Sequence, residues 1–137
     1  LSSEGTFNEG ELEGLLKVWY DNGQLQKEGN IKEGKEEGLW KEYHENGQLS
    51  SEGTFNEGEL EGLRKLWYEN GQLRCEKNCK NGKIEGFEKW YYENGQVDEE
   101  MNYKNGKLVS AKCWDEDDNE IPCICYDAEG LAIIPCP

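Results

Sequence analysis

Six cysteines are the side chains in this sequence best suited to form disulfides or to bind a metal. All lie in the C-terminal half, as Cys75, Cys79, Cys113, Cys123, Cys125 and Cys136. An even number of cysteines in a chain with only 34 % hydrophobic residues favours disulfides and an oxidising compartment. The alternative is a set of reduced cytosolic thiols that act as small hydrophobic residues. Zinc is a weaker interpretation, because structural zinc sites usually show two closely spaced cysteine pairs and only Cys75 and Cys79 have that spacing.

Catalysis would require a base close to a nucleophile, and His44 is the only histidine. It stands where equivalent segments have Tyr20, Tyr68 and Tyr92, so substitution within a repeat explains it better than catalysis. The recurring carboxylates would need an enclosed pocket to act as an acid–base pair. We therefore predict a non-enzymatic protein with no catalytic residue and no cofactor.

An acidic run at residues 115–120 partly matches the pattern of a calcium-binding loop. Asp115, Asp117 and Asn119 match the first three alternating ligand positions of an EF-hand loop. Glu120 stands where that loop needs glycine, and Tyr126 where it needs a bidentate glutamate. The run is better interpreted as a turn of the repeat described next, and no metal site is predicted.

A 24-residue repeat organises most of the chain. Asn-Gly-Gln recurs at residues 22, 46, 70 and 94, which divides the sequence into units 1–24, 25–48, 49–72 and 73–96. A fifth unit, 97–120, is degenerate, and residues 121–137 depart from the pattern. Positions below are counted from the first residue of each unit. Units 1 and 3 differ at three positions only, so the array looks like a duplicated pair of units.

Each unit contains two turn signals, one near its middle and one at its end, with short aromatic-containing runs between them. Glycine and asparagine about every 12 residues leave no room for a helix of ordinary length. We predict an all-β fold, a single-layer twisted antiparallel meander of tandem hairpins. Apolar residues at positions 1, 7, 15 and 19 predict that odd positions share the core face. Glycine at position 5 predicts space for an aromatic ring against the backbone.

The turn at the end of each unit is predicted to be a three-residue loop that ends in glycine. Such a loop places Trp19 opposite Leu25 and Leu15 opposite Gly29.

The same register predicts a disulfide between Cys113 and Cys123. A loop of residues 117–119 sets these two cysteines directly opposite each other on neighbouring strands, where Cβ atoms are about 5 Å apart. Cys125 is then expected to pair with Cys136. Cys75 and Cys79, four residues apart in one strand, are not expected to bond to each other. We divide the chain into repeats at 1–108 and a cysteine-rich C-terminal cap at 109–137.

The segment GLWKEYHENG at residues 38–47, with its equivalents in register, resembles the MORN-repeat-variant family over roughly residues 1–107. The resemblance implies a one-layer sheet of successive hairpins and no catalytic residues. It also implies two kinds of role, since many bacterial members are antitoxins of toxin–antitoxin pairs and others are secreted or surface proteins.

A partner-binding face is predicted from aromatic residues at even positions, namely Tyr20, Trp40, Tyr68, Trp90 and Tyr92. Aromatic residues surrounded by charge are common at protein interfaces. The alternative is that both faces of a one-layer sheet need aromatic pairs for stability.

The formal charge of −15 repels nucleic acid and acidic lipids, and no segment is apolar enough to enter a membrane. We therefore predict a protein-interaction module in an extracytoplasmic setting, whether secreted, periplasmic or on the surface. A cytoplasmic antitoxin-like protein that masks a toxin is the first alternative, and a structural spacer or adhesive array is the second.

Leu1 occupies the same position as Leu25, Leu49 and Leu73, so we expect the N-terminal strand edge to be covered in the native protein by another repeat. An unpaired edge also predicts edge-to-edge contacts, including a homodimer.

Overall fold

The computed structural model describes residues 2–126, Glu129 and residues 132–133. The strands of this part are β1 (Ser2–Asn8), β2 (Glu11–Trp19), β3 (Leu25–Lys32), β4 (Lys35–Tyr43), β5 (Leu49–Asn56), β6 (Glu59–Trp67), β7 (Leu73–Lys80), β8 (Lys83–Tyr91), β9 (Val97–Lys104), β10 (Lys107–Trp114), β11 (Glu120–Ile121), β12 (Cys125–Tyr126) and β13 (Ala132–Ile133).

Strands β1 to β11 form one open sheet in which strand order follows chain order. Every neighbouring pair is antiparallel, and β12 pairs with β13 separately. The described residues contain no helix. The predicted all-β, single-layer meander of hairpin repeats is therefore confirmed. The boundary after residue 108 stays a prediction, and β10 runs across it.

A two-residue turn lies in the middle of each of the five units. In the first unit Asn8 pairs with Glu11 across Glu9 and Gly10, whose φ angles are 51° and 84°. Positive φ at both residues is typical of the type I′ turn, for which Asn-Gly is the favoured sequence. Because the turn holds two residues, Phe7 at position 7 lies opposite Leu12 at position 12.

A three-residue loop, as predicted, closes the end of each of the first four units. In the first unit the Tyr20 N–H donates to the carbonyl of Gln24 at 2.8 Å, and Trp19 pairs with Leu25. The prediction that Leu15 faces Gly29 is wrong, because Leu16 pairs with Gly29. The register shifts between the pairs Val18–Lys27 and Trp19–Leu25, where position 2 is one extra residue in a β-bulge.

The prediction that all odd positions share the core face is also wrong. The two-residue turn places position 7 on the face of positions 12, 14, 16 and 18, whereas positions 15, 17 and 19 lie on the other face. We name the first surface the core face, which carries the buried side chains Ile31, Trp40, Ser51, Cys75, Cys79, Glu88 and Cys113. We name the second the outer face. There Leu15, Leu39 and Leu63 are 49, 50 and 44 % exposed.

Trp40 forms the centre of the core face in the second unit and is 5 % exposed. A Cβ atom added at Gly29 would lie 2.1 Å from Cδ2 of the Trp40 ring, so the ring lies directly on the glycine backbone. This confirms the predicted aromatic contact at position 5 for Gly29. A Cβ atom added at Gly53, the equivalent residue of the third unit, would instead meet Leu60 and Arg64.

The disulfide between Cys113 and Cys123 is present, with a Cα–Cα distance of 5.2 Å. The loop predicted for it was wrong by one residue. Asp115 N–H donates to the carbonyl of Asn119, and Cys113 pairs with Ile121. The loop therefore spans residues 116–118.

The one-residue displacement of the 116–118 loop from its predicted position arises in the middle of the fifth unit. In the second unit, Gly29 on β3 lies opposite the three residues 38–40 of β4, where Gly38 has a φ of 76°. The fifth unit has Ser110 at the position of Gly38, and its register shifts by one residue instead of two. A serine rarely adopts positive φ, so the longer bulge does not form. The predicted bond from Cys125 to Cys136 involves a residue outside the described part of the chain.

Replacing Gly29 with alanine is expected to displace the Trp40 ring and to lower the free energy of unfolding by about 1–3 kcal/mol. The control is Gly5→Ala, where the nearest atom to the added Cβ is the movable Cδ1 of Leu12 at 2.7 Å. Urea denaturation followed by tryptophan fluorescence measures both. Equal losses in the two variants would contradict the role given to the Trp40–Gly29 contact.

Candidate interaction surfaces

The tyrosines of the predicted binding face join neighbouring hairpins at the loop edge of the sheet. Tyr20 donates its hydroxyl proton to the backbone carbonyl of Tyr43 at 2.7 Å, and Tyr92 donates to the carbonyl of Trp114 at 2.7 Å. Tyr68, in the third unit, makes the equivalent contact with the carbonyl of Tyr91. This series is the tyrosine ladder.

His44 replaces tyrosine in the second unit and makes the equivalent contact. Its Nε2 atom lies 2.8 Å from the backbone carbonyl oxygen of Trp67. The histidine therefore bonds the next hairpin, as the tyrosines do, which agrees with its interpretation as a substitution within a repeat.

The two tryptophans of the predicted binding face lie on the core face instead. The Trp40 indole N–H donates to the carbonyl of Asn30 at 3.1 Å, and the Lys27 ammonium lies 5.9 Å from the ring centroid. Trp90 donates to a Glu88 carboxylate oxygen, and the Arg74 guanidinium lies over its ring at 5.8 Å. The five predicted residues thus fall into two places, and partner binding by either set stays a prediction.

A second series of side-chain bonds, the asparagine ladder, runs beside the tyrosine ladder. In each of the first four units the asparagine at position 22 accepts from the backbone N–H at position 24 and donates to a carbonyl of the next unit. For Asn46 these distances are 2.9 Å to the Gln48 N–H and 3.0 Å to the Glu69 carbonyl. The side-chain amide of each asparagine therefore fixes its own loop and the distance to the next loop.

A third series, the glutamate ladder, runs along the opposite edge of the sheet. The glutamate at position 13 accepts a hydrogen bond from the backbone N–H at position 9 of the following unit. Glu13 accepts from the Glu33 N–H at 2.6 Å, and Glu61 accepts from the Asn81 N–H at 2.7 Å. Glu37 and Glu85 do the same. The fifth unit has Val109 at this position, so the series ends there.

An apolar column on the outer face was not predicted from the sequence. Leu15, Leu39 and Leu63 occupy position 15 and each lies two strands from the next, with the half-buried Phe87 continuing the series. Strand spacing places successive members roughly 9.5 Å apart. The sequence contains evidence for this column. Position 15 is apolar in the same units whose position 17 is lysine, and positions two apart in a strand share a face, so the lysines indicate that position 15 lies on a solvent-facing side.

Beside this column runs a row of alternating charges that crosses ten strands. Its members pair directly with one another, in the order Glu4, Lys17, Glu28, Lys41, Glu52, Lys65, Glu76, Lys89, Glu100 and Lys112. The Lys89 ammonium lies 2.8 Å from Glu100, and its hydrogen bond to that carboxylate raises the pKa of Lys89. We name this row the charge column.

Half-buried aromatic residues border the charge column on the side of the loops. Tyr43 donates its hydroxyl proton to Glu28 at 3.0 Å, and Tyr91 donates to Glu76 at 2.8 Å. Burial, followed by the bond to Glu76, raises the pKa of Tyr91 to about 12. These phenols therefore stay protonated at neutral pH and orient the carboxylates of the column.

The acidic run forms a turn in which Asp115 accepts hydrogen bonds from its neighbours. The Asp115 carboxylate accepts from the backbone N–H groups of Asp117 and Asn119, at 3.0 and 2.9 Å, and these bonds lower its pKa. Within the described residues, no group of three or more His, Cys, Asp or Glu side chains is placed to hold a metal ion. The same residues contain no helix long and apolar enough to cross a membrane.

Comparison with known families gives one match. The family model described as MORN repeat variant matches residues 12–33, 36–57, 60–81 and 84–105. Each matched segment runs from position 12 of one unit to position 9 of the next, so it contains the residues of the glutamate, tyrosine and asparagine ladders. No curated protein matches the chain.

Replacing Asn46 with alanine is expected to lower the free energy of unfolding by about 1–2 kcal/mol, because one loop N–H and one carbonyl both lose their partner. Asn46→Asp is the matched control, since aspartate keeps the acceptor for Gln48 but loses the donor to Glu69. Its loss should be smaller in urea denaturation. If aspartate costs as much as alanine, the acceptor bond within the loop contributes nothing.

Cys75 and Cys79 are not bonded to each other, as predicted. Both are free and buried, and burial raises the pKa of the Cys75 thiol to about 11. Because the thiolate is the reactive form, alkylation by iodoacetamide at neutral pH should be slow in the folded protein and rapid in denaturant. Mass spectrometry of the alkylated peptides measures both rates. Fast labelling of Cys75 in the native protein would contradict its burial.

Proposed function

Because the chain belongs to the MORN repeat variant family, we propose that it is a non-catalytic repeat protein that binds another protein through the outer face of its sheet. The family is a repeat module without a catalytic site. Neutralisation of a toxin by masking its surface would be one form of such binding.

The apolar column of Leu15, Leu39 and Leu63 is the observation that carries this proposal. Side chains of this size that are 44–50 % exposed and aligned along one line leave apolar surface in water at a cost. The three ladders already join the repeats to one another, and the leucines take no part in them. A protein partner that covers this line would gain the free energy of its burial.

The polar surroundings of the column suit a protein partner better than a phosphate polymer. The charge column supplies lysine and glutamate alternately, so the outer face offers partners for both signs of charge at a fixed spacing. The chain as a whole carries 30 acidic and 15 basic residues, which disfavours nucleic acid.

We place the protein in an extracytoplasmic compartment, on the basis of the Cys113–Cys123 disulfide. Disulfides persist in oxidising surroundings and are rare in the cytosol. The two free thiols are consistent with either compartment, because both are buried.

A structural spacer is the second candidate, and the three ladders favour it. The ladder residues of the first four units hold neighbouring hairpins at a fixed distance, which is all that a spacer requires. The two functions differ in their tolerance of length. A spacer would accept removal of residues 25–72, whereas a docking face would lose part of its contact.

The substitution Leu39→Ser is expected to weaken binding to the partner roughly tenfold, as for an apolar residue central to an interface. Val109→Ser is the matched control, since Val109 is 58 % exposed and lies outside the apolar column. The partner is first captured by cross-linking in the native source, and the affinity of each variant for the purified partner is then measured by calorimetry. Unchanged affinity for Leu39→Ser, together with tolerance of the 25–72 deletion, would support the spacer instead.

A further inference from the structure

Residue types on the outer face alternate from one strand to the next. In the apolar column, Leu39 on β4 lies opposite Thr54 on β5, and in the charge column Lys41 lies opposite Glu52 on the same two strands. From β2 to β9, every even-numbered strand carries leucine or phenylalanine with lysine, and every odd-numbered strand carries asparagine or threonine with glutamate. Large and cationic side chains therefore alternate with small and anionic ones.

A third column of the outer face lies beside the charge column, at the strand ends next to the three-residue loops. Each even-numbered strand from β2 to β8 supplies an aromatic residue, and the strand after it supplies an aliphatic one. The pairs are Trp19–Leu25, Tyr43–Leu49, Trp67–Leu73 and Tyr91–Val97. All of these side chains are half-buried, so part of each remains open to a partner. We name this series the aromatic column.

The alternation makes the outer face complementary to itself. A two-fold axis that runs parallel to the strands and passes between two neighbouring strands exchanges odd and even strands, while each column still faces its own copy. Every lysine of the charge column then faces a glutamate of the second copy. An axis centred on a strand would set lysine against lysine, so the charges select the axis between strands.

The shapes of the side chains agree with the charges. With the axis between β5 and β6, Leu63 faces Thr54 of the second copy and Trp67 faces Leu49 of the second copy. Leu39 and Leu63 are 50 and 44 % exposed, and the exposed Thr54 between them leaves a gap of one strand. Packed sheets lie about 10 Å apart with interdigitated side chains, which requires large residues of one sheet to meet small ones of the other.

We propose that two copies of this chain pair face to face through their outer faces, about a two-fold axis between neighbouring strands. The inference rests on the proposed function, because it names a second copy as the partner of the same face. It differs from edge-to-edge pairing, since the contact is made by side chains and leaves the strand edges free. Mean strand directions of packed sheets differ by about 30°, so contact is closest at the strands next to the axis.

A second copy matches the spacing of this face better than an α-helix does. The columns repeat every two strands, or roughly every 9.5 Å. A helix presents the same face every seven residues, or roughly every 10.5 Å, so it falls out of step by about 1 Å per unit. A second copy has the same period by construction.

The net charge of −15 opposes the association of two copies at long range. The contact itself is neutral, because the central members of the charge column are two lysines and two glutamates, Lys41, Glu52, Lys65 and Glu76. Local complementarity and general repulsion therefore predict opposite effects for added positive charge, and the experiment uses this difference.

The first test uses two chains with complementary charge changes. The minus chain carries Lys41→Glu and Lys65→Glu, and the plus chain carries Glu52→Lys and Glu76→Lys. Sedimentation equilibrium should show that each self-associates roughly tenfold more weakly than the wild type, whereas an equimolar mixture forms a heterodimer of nearly wild-type strength. A mixture that associates no more strongly than the two separate chains overturns the proposal.

Glu33→Lys combined with Glu57→Lys is the matched control for the plus chain. It changes the net charge equally, at turns on the opposite edge of the sheet, and should self-associate at least as strongly as the wild type. General repulsion alone would make the plus chain associate more strongly too, so weaker association of the plus chain supports contact at the charge column. Urea denaturation of each variant verifies that it is folded.

Cross-linking of the wild-type chain provides a measurement without any substitution. A carbodiimide joins lysine directly to glutamate, and mixing unlabelled with isotope-labelled protein identifies bonds between chains. Mixed-isotope bonds should join charge-column residues such as Lys41 and Glu76, which lie on β4 and β7 and are roughly 14 Å apart within one chain. Mixed-isotope bonds confined to other residues, or their absence, overturn the proposal.

Failure of this inference and failure of the proposed function give different results. Self-association that weakens roughly tenfold in Leu39→Ser and is unchanged in Val109→Ser supports pairing through the outer face. A monomeric wild-type chain whose captured partner binds Leu39→Ser more weakly rejects self-pairing and keeps the outer face as a docking site for a different protein. No dependence on Leu39 in either measurement rejects both.

Discussion

A sheet of one layer has no second layer against which to bury side chains, and the rest of this structure follows from that constraint. Hydrophobic burial, the main stabilising contribution in most domains, is limited here to a few residues such as Ile31, Trp40 and Cys75. Stability must therefore come largely from contacts between neighbouring hairpins. Each repeat is stabilised by the unit on either side of it, so the array behaves as a one-dimensional stack.

The recurring polar residues meet this need at both edges of the sheet. Backbone pairing joins strands along their length, and side-chain bonds add connections between the turns. Asn22 and Tyr20 attach one turn to the next at the loop edge, and Glu13 does so at the opposite edge. A one-layer sheet can thus keep regular spacing with little core. This explains why a chain of such high polarity has a defined structure.

The sequence predicted those features that depend on local chemistry. The period and the three-residue loop at Asn22 rest on residue types within a short stretch. The Cys113–Cys123 bond is present, although the loop from which it is predicted is wrong by one residue. The sequence does not predict which face each position occupies, because this depends on whether the turn at Glu9 and Gly10 contains an even or an odd number of residues. That count decides on which face the second strand of each hairpin places its side chains relative to the first strand.

The apolar column is not predicted because an apolar residue such as Leu15 is assigned to the core. Lys17, two residues further along the same strand, indicates instead that this side of the strand faces solvent. The loop after β10 begins one residue earlier than predicted because Ser110 stands where other units have a glycine with positive φ. Residue types alone do not show that the glycine adopts this conformation. The aromatic residues at position 20 were recognised as a set, but their hydroxyl contacts to the next unit depend on the stacking of loops, which a single unit does not contain.

Sequential strand order has a mechanical consequence for the array. Tension applied between residues near the two ends of the sheet acts across the strands, so the hydrogen bonds of a boundary are loaded one after another rather than all together. Under force the hairpins should therefore peel away singly at low force, each releasing a similar length of chain. The Cys113–Cys123 bond closes the turn between β10 and β11 against such extension, so peeling would stop before that turn. An array built in this way would act as an extensible tether.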